Sequence, residues 1–377
     1  MSIVKFSEVA HRAYTREDRF NTEKIYYVGG EHIDSCELYV TKKGVIKGST
    51  IGPMFYCGFT AGQILFVTRN PHLKKCSIAD FDGICSEKTF VIETKDESIL
   101  TQEYLAIIMQ SDDFWNYCEE NKSGGVNYFL NWSTLADYEF ELPPIKQQLE
   151  IAQKVMSAYR LKQSYKKLLD ATREMVKSQF IEMVGDPRNN PKGWPTKRLS
   201  ELAEYSIGLT YKPEQICDDG TIVLRSGNIQ DGKISFSDIV RVNAPIKESL
   251  FVKEDDILMC SRNGSASLVG KVAMIPDINE PMTFGAFMTI IRSAEAKYLY
   301  LYFQSQDFRE RVSEGKSSTM NQITQKMLDK VEVPFPDKDV RETLSAIASQ
   351  ADKSKSVIQK TLVYLNDIQS DELGKIA

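Results

Sequence analysis

In this chain of 377 residues, Arg69-Asn70, and Arg262-Asn263 followed by Gly264 and Ser265, each pair a guanidinium with a carboxamide. These groups match base edges and phosphate oxygens through directed hydrogen bonds. Each run follows a strand-like stretch, Gln63–Thr68 and Asp256–Cys260. A second kind of run sets a lysine ahead of small residues and an amide: Lys122-Ser123-Gly124-Gly125-Val126-Asn127-Tyr128, and Lys316-Ser317-Ser318-Thr319-Met320-Asn321-Gln322. There the lysine suits a phosphate, the hydroxyls a sugar or phosphate oxygen, and the amide a base edge. Arg225, Ser226 and Asn228 close a third strand-like stretch, Thr221–Arg225, and Glu31 and His32 stand at the related place earlier in the chain. A plainer reading competes with all of these, since Gly-Gly, Ser-Ser-Thr and Arg-Asn after a strand are common turn formers.

The residue patterns of catalysis are missing. A methyltransferase needs a glycine-rich cofactor loop and an Asn/Asp-Pro-Pro-aromatic motif, and Leu142-Pro143-Pro144-Ile145 has the prolines without the polar and aromatic flanks. A nuclease needs clustered carboxylates with a lysine, a frame that Asp186-Pro187 lacks, and no G-x-x-x-x-G-K-[ST] run is present. No catalytic and no metal-binding residue is therefore assigned.

The elements that would position the candidate residues occur twice. Phe6-Ser7-Glu8-Val9-Ala10 is echoed by Leu199-Ser200-Glu201-Leu202-Ala203, and Gln63 to Asn70 by Asp256 to Asn263, both 193 residues on. Tyr104-Leu105, Ser111 and Asp113-Phe114 recur as Tyr298-Leu299, Ser305 and Asp307-Phe308; Ser123 and Asn127 recur as Ser317 and Asn321, all at 194. Leu142-Pro143 recurs as Val333-Pro334 at 191. The same order at nearly constant spacing predicts a duplicated unit. Further strand-like runs are Lys24–Val28, Thr89–Glu93 and Thr289–Arg292, and one helix is predicted in each copy, at Gln102–Glu119 and Ala296–Val312.

Each copy ends in a long helical pattern. The first opens at Pro143-Pro144 and runs through Ile145, Leu149, Ala152, Met156 and Tyr159, then in a shifted register through Leu161, Tyr165, Leu168, Thr172, Met175 and Gln179. A linker with Gly185, Pro187, Pro191, Gly193 and Pro195 stops it. The second keeps a 4-3 spacing through Val340, Leu344, Ile347, Ala351, Ser354, Ile358, Thr361, Leu365 and Ile368. Heptad seams sustained this long predict helices that pair with each other, antiparallel, rather than fold back singly.

The expectation is an α+β chain: two pseudo-symmetric mixed α/β domains, residues 1–142 and 184–336 with its linker, separated by a long antiparallel two-helix coiled coil from residues 143–183 and 337–377. Such a rod would act as a ruler between two readers of DNA.

The net charge of −5 is unusual for a protein that holds DNA alone, but residues 143–193 carry ten Lys and Arg against five Asp and Glu. Partner subunits sharing the grip would resolve this. The seven cysteines include no C-x-x-C and read as free thiols, and no apolar run suits a membrane span or a signal core. A cytoplasmic protein is expected, with no membrane partner.

Over essentially its whole length the chain resembles the specificity subunit of type I restriction–modification enzymes. The residues carrying the resemblance are Leu142-Pro143-Pro144-Ile145 with Gln148, the run from Phe180 to Trp194, Arg262-Asn263-Gly264-Ser265, Val269-Gly270-Lys271, Phe284-Gly285-Ala286-Phe287-Met288, and Asn321-Gln322-Ile323-Thr324. Gly58 to Gln63 and Phe81 to Ser86 add to it; Val333-Pro334-Phe335-Pro336 with Asp339, opening the second helix, departs from it. The resemblance implies two target recognition domains on double-stranded DNA with a bipartite target, and a bacterial or archaeal cytoplasm. It implies no cofactor in this chain. S-adenosylmethionine would belong to two adenine-N6 methyltransferase subunits docked partly along the helices, and ATP with magnesium to restriction subunits with translocase and nuclease activity. The residues expected at DNA are Arg69, Asn70, Lys122, Ser123, Asn127, Tyr128, Arg225, Asn228, Arg262, Asn263, Ser265, Lys316, Ser317, Ser318, Asn321 and Gln322. The alternatives are a self-contained restriction–methylation enzyme and a coiled-coil adaptor that binds only proteins.

Overall fold

The structure, a computed structural model, describes residues 2–314 and 321–374. The chain folds into two compact units. The first takes the residues up to Leu168 together with those from Val357 on; the second is Leu169–Ser356.

The first unit is organised around the strand Ile64–Val67, all four residues of which are buried. It lies between Thr89–Thr94 and Cys76–Ile78, with Ala10–Arg12 on the far side of Thr89–Thr94, every pair antiparallel. Alternate side chains of a strand face opposite ways, so Ile64 and Phe66 enter one core while Leu65 and Val67 enter another. A strand covered on both sides reads as a continuous apolar run, which is why Ile-Leu-Phe-Val shows no alternation. A second sheet of five short strands contains one parallel pair, Tyr26–Val28 beside Gly83–Ser86. Phe66 stacks on Trp115 at 5.8 Å between ring centroids and meets Phe114 edge-on at 6.0 Å, fastening the helix Asp112–Glu120 to the sheet.

The second unit repeats this plan. Ile257–Cys260, fully buried, lies between Met288–Arg292 and Val272–Met274, with Glu204–Ile207 beyond Met288–Arg292. Thr221–Leu224 pairs in parallel with Met282–Phe284, as Tyr26–Val28 does with Gly83–Ser86. Even small closures recur: the amide of Phe6 donates to the carbonyl of Tyr138, and that of Leu199 to the carbonyl of Val331, both at 193 residues' separation. The predicted strands are thus present in both copies.

The helix predicted over Gln102–Glu119 is two helices, Gln102–Ile108 and Asp112–Glu120, and that over Ala296–Val312 is also two, Ala296–Phe303 and Gln306–Glu314. A serine makes each break. Ser111 Oγ accepts the amide of Phe114 at 3.2 Å, and Ser305 Oγ accepts that of Phe308 at 3.3 Å. Each caps a new helix start where the apolar pattern alone runs on.

The long helices are Ile145–Val184 and Lys338–Leu373. In the first unit the opening of one meets the end of the other: Lys162 Nζ lies 3.4 Å from Gln369 Oε1, Lys154 is 3.8 Å from Glu372, and Leu373 packs on the core that contains Ala152, Val155, Met156 and Tyr159. In the second unit Phe180 and Val184 share a core with Leu344, Val340 and Ala348. Both units therefore contain the same antiparallel pairing, and each is a mixed α/β domain carrying one half of it. On the second helix all nine predicted seam residues are buried or half-buried, with Leu344, Ala351, Ile358 and Leu365 fully so. The first helix corrects the prediction. Leu149, Leu161, Leu168 and Met175 are exposed, and the inward stripe runs through Gln148, Ala152, Val155, Met156 and Tyr159. Its first turns pack on a domain surface, and Gln148 takes the place next to Leu149 by bonding three backbone groups. Its Oε1 accepts the amide of Thr101 at 3.1 Å, and its Nε2 donates to the carbonyls of Ile99 and Pro143, each at 2.8 Å. Arg341, 193 residues on, holds the second helix in the same way, donating from Nε to Pro336 O at 3.0 Å and pairing with Glu295. No helix among the described residues is long and apolar enough to cross a membrane.

Candidate nucleic-acid interface

In each unit the buried central strand runs out into the candidate loop, and the same three backbone hydrogen bonds build the frame. In the first unit Thr68 donates its amide to Lys88 O at 2.9 Å, Leu130 donates to Thr68 O at 3.0 Å, and Asn70 donates to Tyr128 O at 2.9 Å. In the second, Ser261 donates to Phe287 O at 2.9 Å, Ile323 donates to Ser261 O at 2.8 Å, and Asn263 donates to Asn321 O at 3.4 Å. The bridges Arg69–Phe129 and Arg262–Gln322 complete the match. This frame corrects the alignment of the loops by one residue. Tyr128, and not Asn127, is the counterpart of Asn321, and Phe129 is the counterpart of Gln322.

In the first unit Ser123 and Phe129 exchange both backbone hydrogen bonds, at 2.8 and 2.9 Å, closing a loop whose tip is Gly124 to Asn127. Gly124 sits at φ +100°, where a Cβ would lie 2.7 Å from Asn127 O, so the turn needs glycine. Val126 and Asn127 project into solvent from that tip. The Arg69 guanidinium lies 5.4 Å from the centre of the Phe129 ring. Lys122 pairs with Glu119 and lies 4.4 Å from the centre of the Tyr128 ring. Asn70, at φ +52°, leads into the short helical turn Pro71–Leu73. Of the residues predicted here, Arg69, Asn70, Lys122, Ser123 and Tyr128 are joined by these bonds, and Asn127 stands at the free tip.

The second unit brings three separate segments together. Arg262 Nη2 donates to Gln322 Oε1 at 2.6 Å, Asn321 Nδ2 donates to Gly264 O at 3.1 Å, and Asn263 Nδ2 donates to Ser226 Oγ at 3.1 Å. Asn263 Oδ1 accepts the amide of Ser265 at 2.9 Å, shaping the turn that carries the exposed Ser265. Arg225 pairs with Asp238 at 3.1 Å. Asn228 has a different office from direct contact. It is 1% exposed, its Oδ1 accepts the amide of Arg225 at 2.8 Å, and its Nδ2 donates to Ser235 O and Asp238 O at 2.9 and 2.8 Å. It holds the loop between residues 225 and 238 from within. His32 does the same in the first unit, its Nδ1 accepting the amide of Gly29 at 2.9 Å. Lys316, Ser317 and Ser318 lie outside the described residues.

Residues 191–365 match the family described as type I restriction modification DNA specificity domain. The chain is 30% identical over 183 residues to the type I restriction enzyme StySPI specificity subunit of Salmonella potsdam, a stretch covering 45% of this chain and 39% of that one. It is 28% identical over 197 residues to the EcoKI specificity subunit of Escherichia coli, covering 49% and 42%. These matches span only about two fifths of either relative's length. In fold, the chain superposes on the S subunit of a type I restriction–modification system from M. genitalium with a TM-score of 0.65 at 14% identity, covering 99% of this chain and 95% of that one.

Within residues 191–365 the three segments at Arg225, Arg262 and Asn321 form one hydrogen-bonded surface, and its ion pair, Arg225 with Asp238, is exposed. Exposed pairs contribute little to stability, so cations held this way can be exchanged for phosphate. In the first unit the Lys88 ammonium and the Tyr56 hydroxyl hold the Glu87 carboxyl below its ordinary range. Sequence reasoning missed two residues of the frame, Lys88 and Phe287. Both lie on the strand connection whose carbonyl receives the amide of Thr68 or Ser261, far along the chain from the residues they support. The run Phe284 to Met288 was visible in the sequence, but no local pattern tied it to Arg262.

Proposed function

We propose that this chain is a non-catalytic DNA-recognition subunit, with residues 1–142 and 184–336 as two target recognition domains reading the two halves of a bipartite double-stranded target. The reading rests above all on the repeated loop frame, which presents guanidinium, amide and hydroxyl groups on a rigid scaffold at two equivalent places. Arg69, Lys122, Arg225 and Arg262 supply cations for phosphate or guanine; Asn70, Asn127, Asn263, Asn321 and Gln322 supply amides for base edges; Ser123, Ser265 and Tyr128 supply hydroxyls. Lys316, Ser317 and Ser318 extend the same set, and Asn228 acts through the loop it holds. Different side chains on one frame suit two different half-sites. The relatives' names support a place in a type I restriction–modification complex. Two adenine-N6 methyltransferase subunits would bring S-adenosylmethionine, and restriction subunits would bring ATP and magnesium, in a bacterial or archaeal cytoplasm. Their share of the grip on DNA accounts for the chain's net negative charge.

The test is selection. The full chain, assembled with its methyltransferase partners, is mixed with a pool of duplexes of randomised interior and the bound fraction is sequenced. Two enriched blocks flanking an indifferent gap are expected. Arg69→Ala should erase preference in one block and Arg262→Ala in the other. Absence of any enriched sequence refutes DNA reading, and either variant acting on both blocks or on neither refutes the assignment of one half-site to each domain.

A further inference from the structure

Phe287 is 58% exposed, although it lies between two buried anchors, Phe284 and Met288. Its backbone is fixed on every side. Its carbonyl receives the amides of Ser261 and Arg262 at 2.9 and 3.0 Å, Ala286 donates to Leu209 O at 2.9 Å, and Met288 donates to Gly285 O at 2.8 Å. The ring therefore projects from a rigid turn, and the Arg262 guanidinium lies 5.7 Å from its centre. A single exposed apolar side chain is common on protein surfaces. This one differs by its company, because the Arg262 guanidinium near it is itself bonded to Gln322. In the first unit the equivalent station, the residue whose carbonyl receives the amide after the central strand, is Lys88. A lysine is what an exposed turn ordinarily carries; a phenyl ring there leaves about half of an apolar side chain in water.

We infer that Phe287 reads a thymine: its ring makes apolar contact with the C5-methyl group of a thymine in the major groove, next to the base pair reached by Arg262 and Gln322. Arginine and glutamine side chains match the acceptor and donor pattern of purine edges in that groove, and the thymine methyl is the one apolar group the same groove offers. The backbone that carries the ring is already fixed by these hydrogen bonds, so only the ring's two side-chain torsions lose freedom on meeting it. The inference rests on the DNA-reading proposal above and names one base within one half-site.

The experiment starts from the sequence enriched by the full wild-type chain in complex with its methyltransferase partners. Selection is repeated with Phe287→Ala and Phe287→Leu, and thymines of the enriched sequence are replaced one at a time by deoxyuridine, which lacks only the methyl group. Phe287→Ala should lose thymine preference at one position of a single block, and Phe287→Leu should keep it. Replacing that thymine by deoxyuridine should weaken wild-type binding about fourfold, the effect of burying one methyl-sized group, and should leave Phe287→Ala unchanged. The slope of affinity against salt should be the same for wild type and Phe287→Ala, because an uncharged ring releases no counterion. An unchanged base preference in Phe287→Ala, or equal sensitivity of both proteins to deoxyuridine, overturns the inference while DNA reading stands. A wild-type complex, chain with methyltransferase partners, that enriches no sequence overturns both.

Discussion

Gln148 gives the sharpest test of how the long helix is fastened to its domain. It has no exposed surface, and its amide satisfies one N–H and two carbonyls, those of Thr101, Ile99 and Pro143. Gln148→Met keeps the volume and removes all three bonds. The bonds to Thr101 and Pro143 are buried, so their partners are left without water; the carbonyl of Ile99 is partly open and can rehydrate. An unpaired buried backbone group costs about 1–3 kcal/mol, so two of them cost about 2–6 kcal/mol. Gln148→Glu keeps an acceptor for Thr101 but cannot donate, and it places a charge where there is no water, so its loss is larger. The measurement is urea unfolding followed by tryptophan fluorescence in a Trp194→Phe background, where Trp115 and Trp132 report the first unit. Gln147→Met, one residue away and exposed, serves as the control and should stay within about 0.5 kcal/mol. If Gln148→Met is no worse than that control, the claim that side-chain bonds rather than a heptad seam set the face of this helix is wrong.

Three further outcomes follow from particular residues. Gly124→Ala forces a left-handed turn against Asn127 O; at a cost of about 1–3 kcal/mol, exchange of the Ser123 and Phe129 amides should quicken by about 5- to 150-fold, with global unfolding little changed. Asn228→Ala removes the three bonds that hold the loop from Arg225 to Asp238, and should lower preference in the half-site read by the second domain while leaving the other half-site intact; Asn228→Asp, which keeps only the acceptor, should fall in between. A thiol reagent should label Cys36 in the native protein and reach Cys76 and Cys118 only on unfolding. Burial pushes both of those thiols up, so they stay protonated and unreactive when the pH is raised to about 9; labelling of either at that pH without unfolding would contradict the packing described.

Much of the architecture was legible in the chain itself. Repetition at 193 residues announced two equivalent units because each central strand, covered on both sides, must be apolar throughout and is followed by the same Arg-Asn turn. The 4-3 spacing from Val340 to Ile368 announced a helix with one continuous buried edge, since only such an edge keeps returning to the same side. These signals are local: they depend on how side chains alternate along a strand or wind around a helix, and the sequence carries that directly.

The candidate interface was decided elsewhere. Arg262 meets Gln322, Asn263 meets Ser226, and Phe287 carries the carbonyl that orients both Ser261 and Arg262, joining residues that lie far apart along the chain. No local spacing states that Asn228 and His32 turn inward to hold a loop, that Tyr128 rather than Asn127 stands opposite Asn321, or that Leu149 yields the buried face to Gln148. Each of these follows from which backbone groups were left without partners once the strands and helices had packed, and an unpaired donor or acceptor exists only after tertiary structure has removed the water from around it.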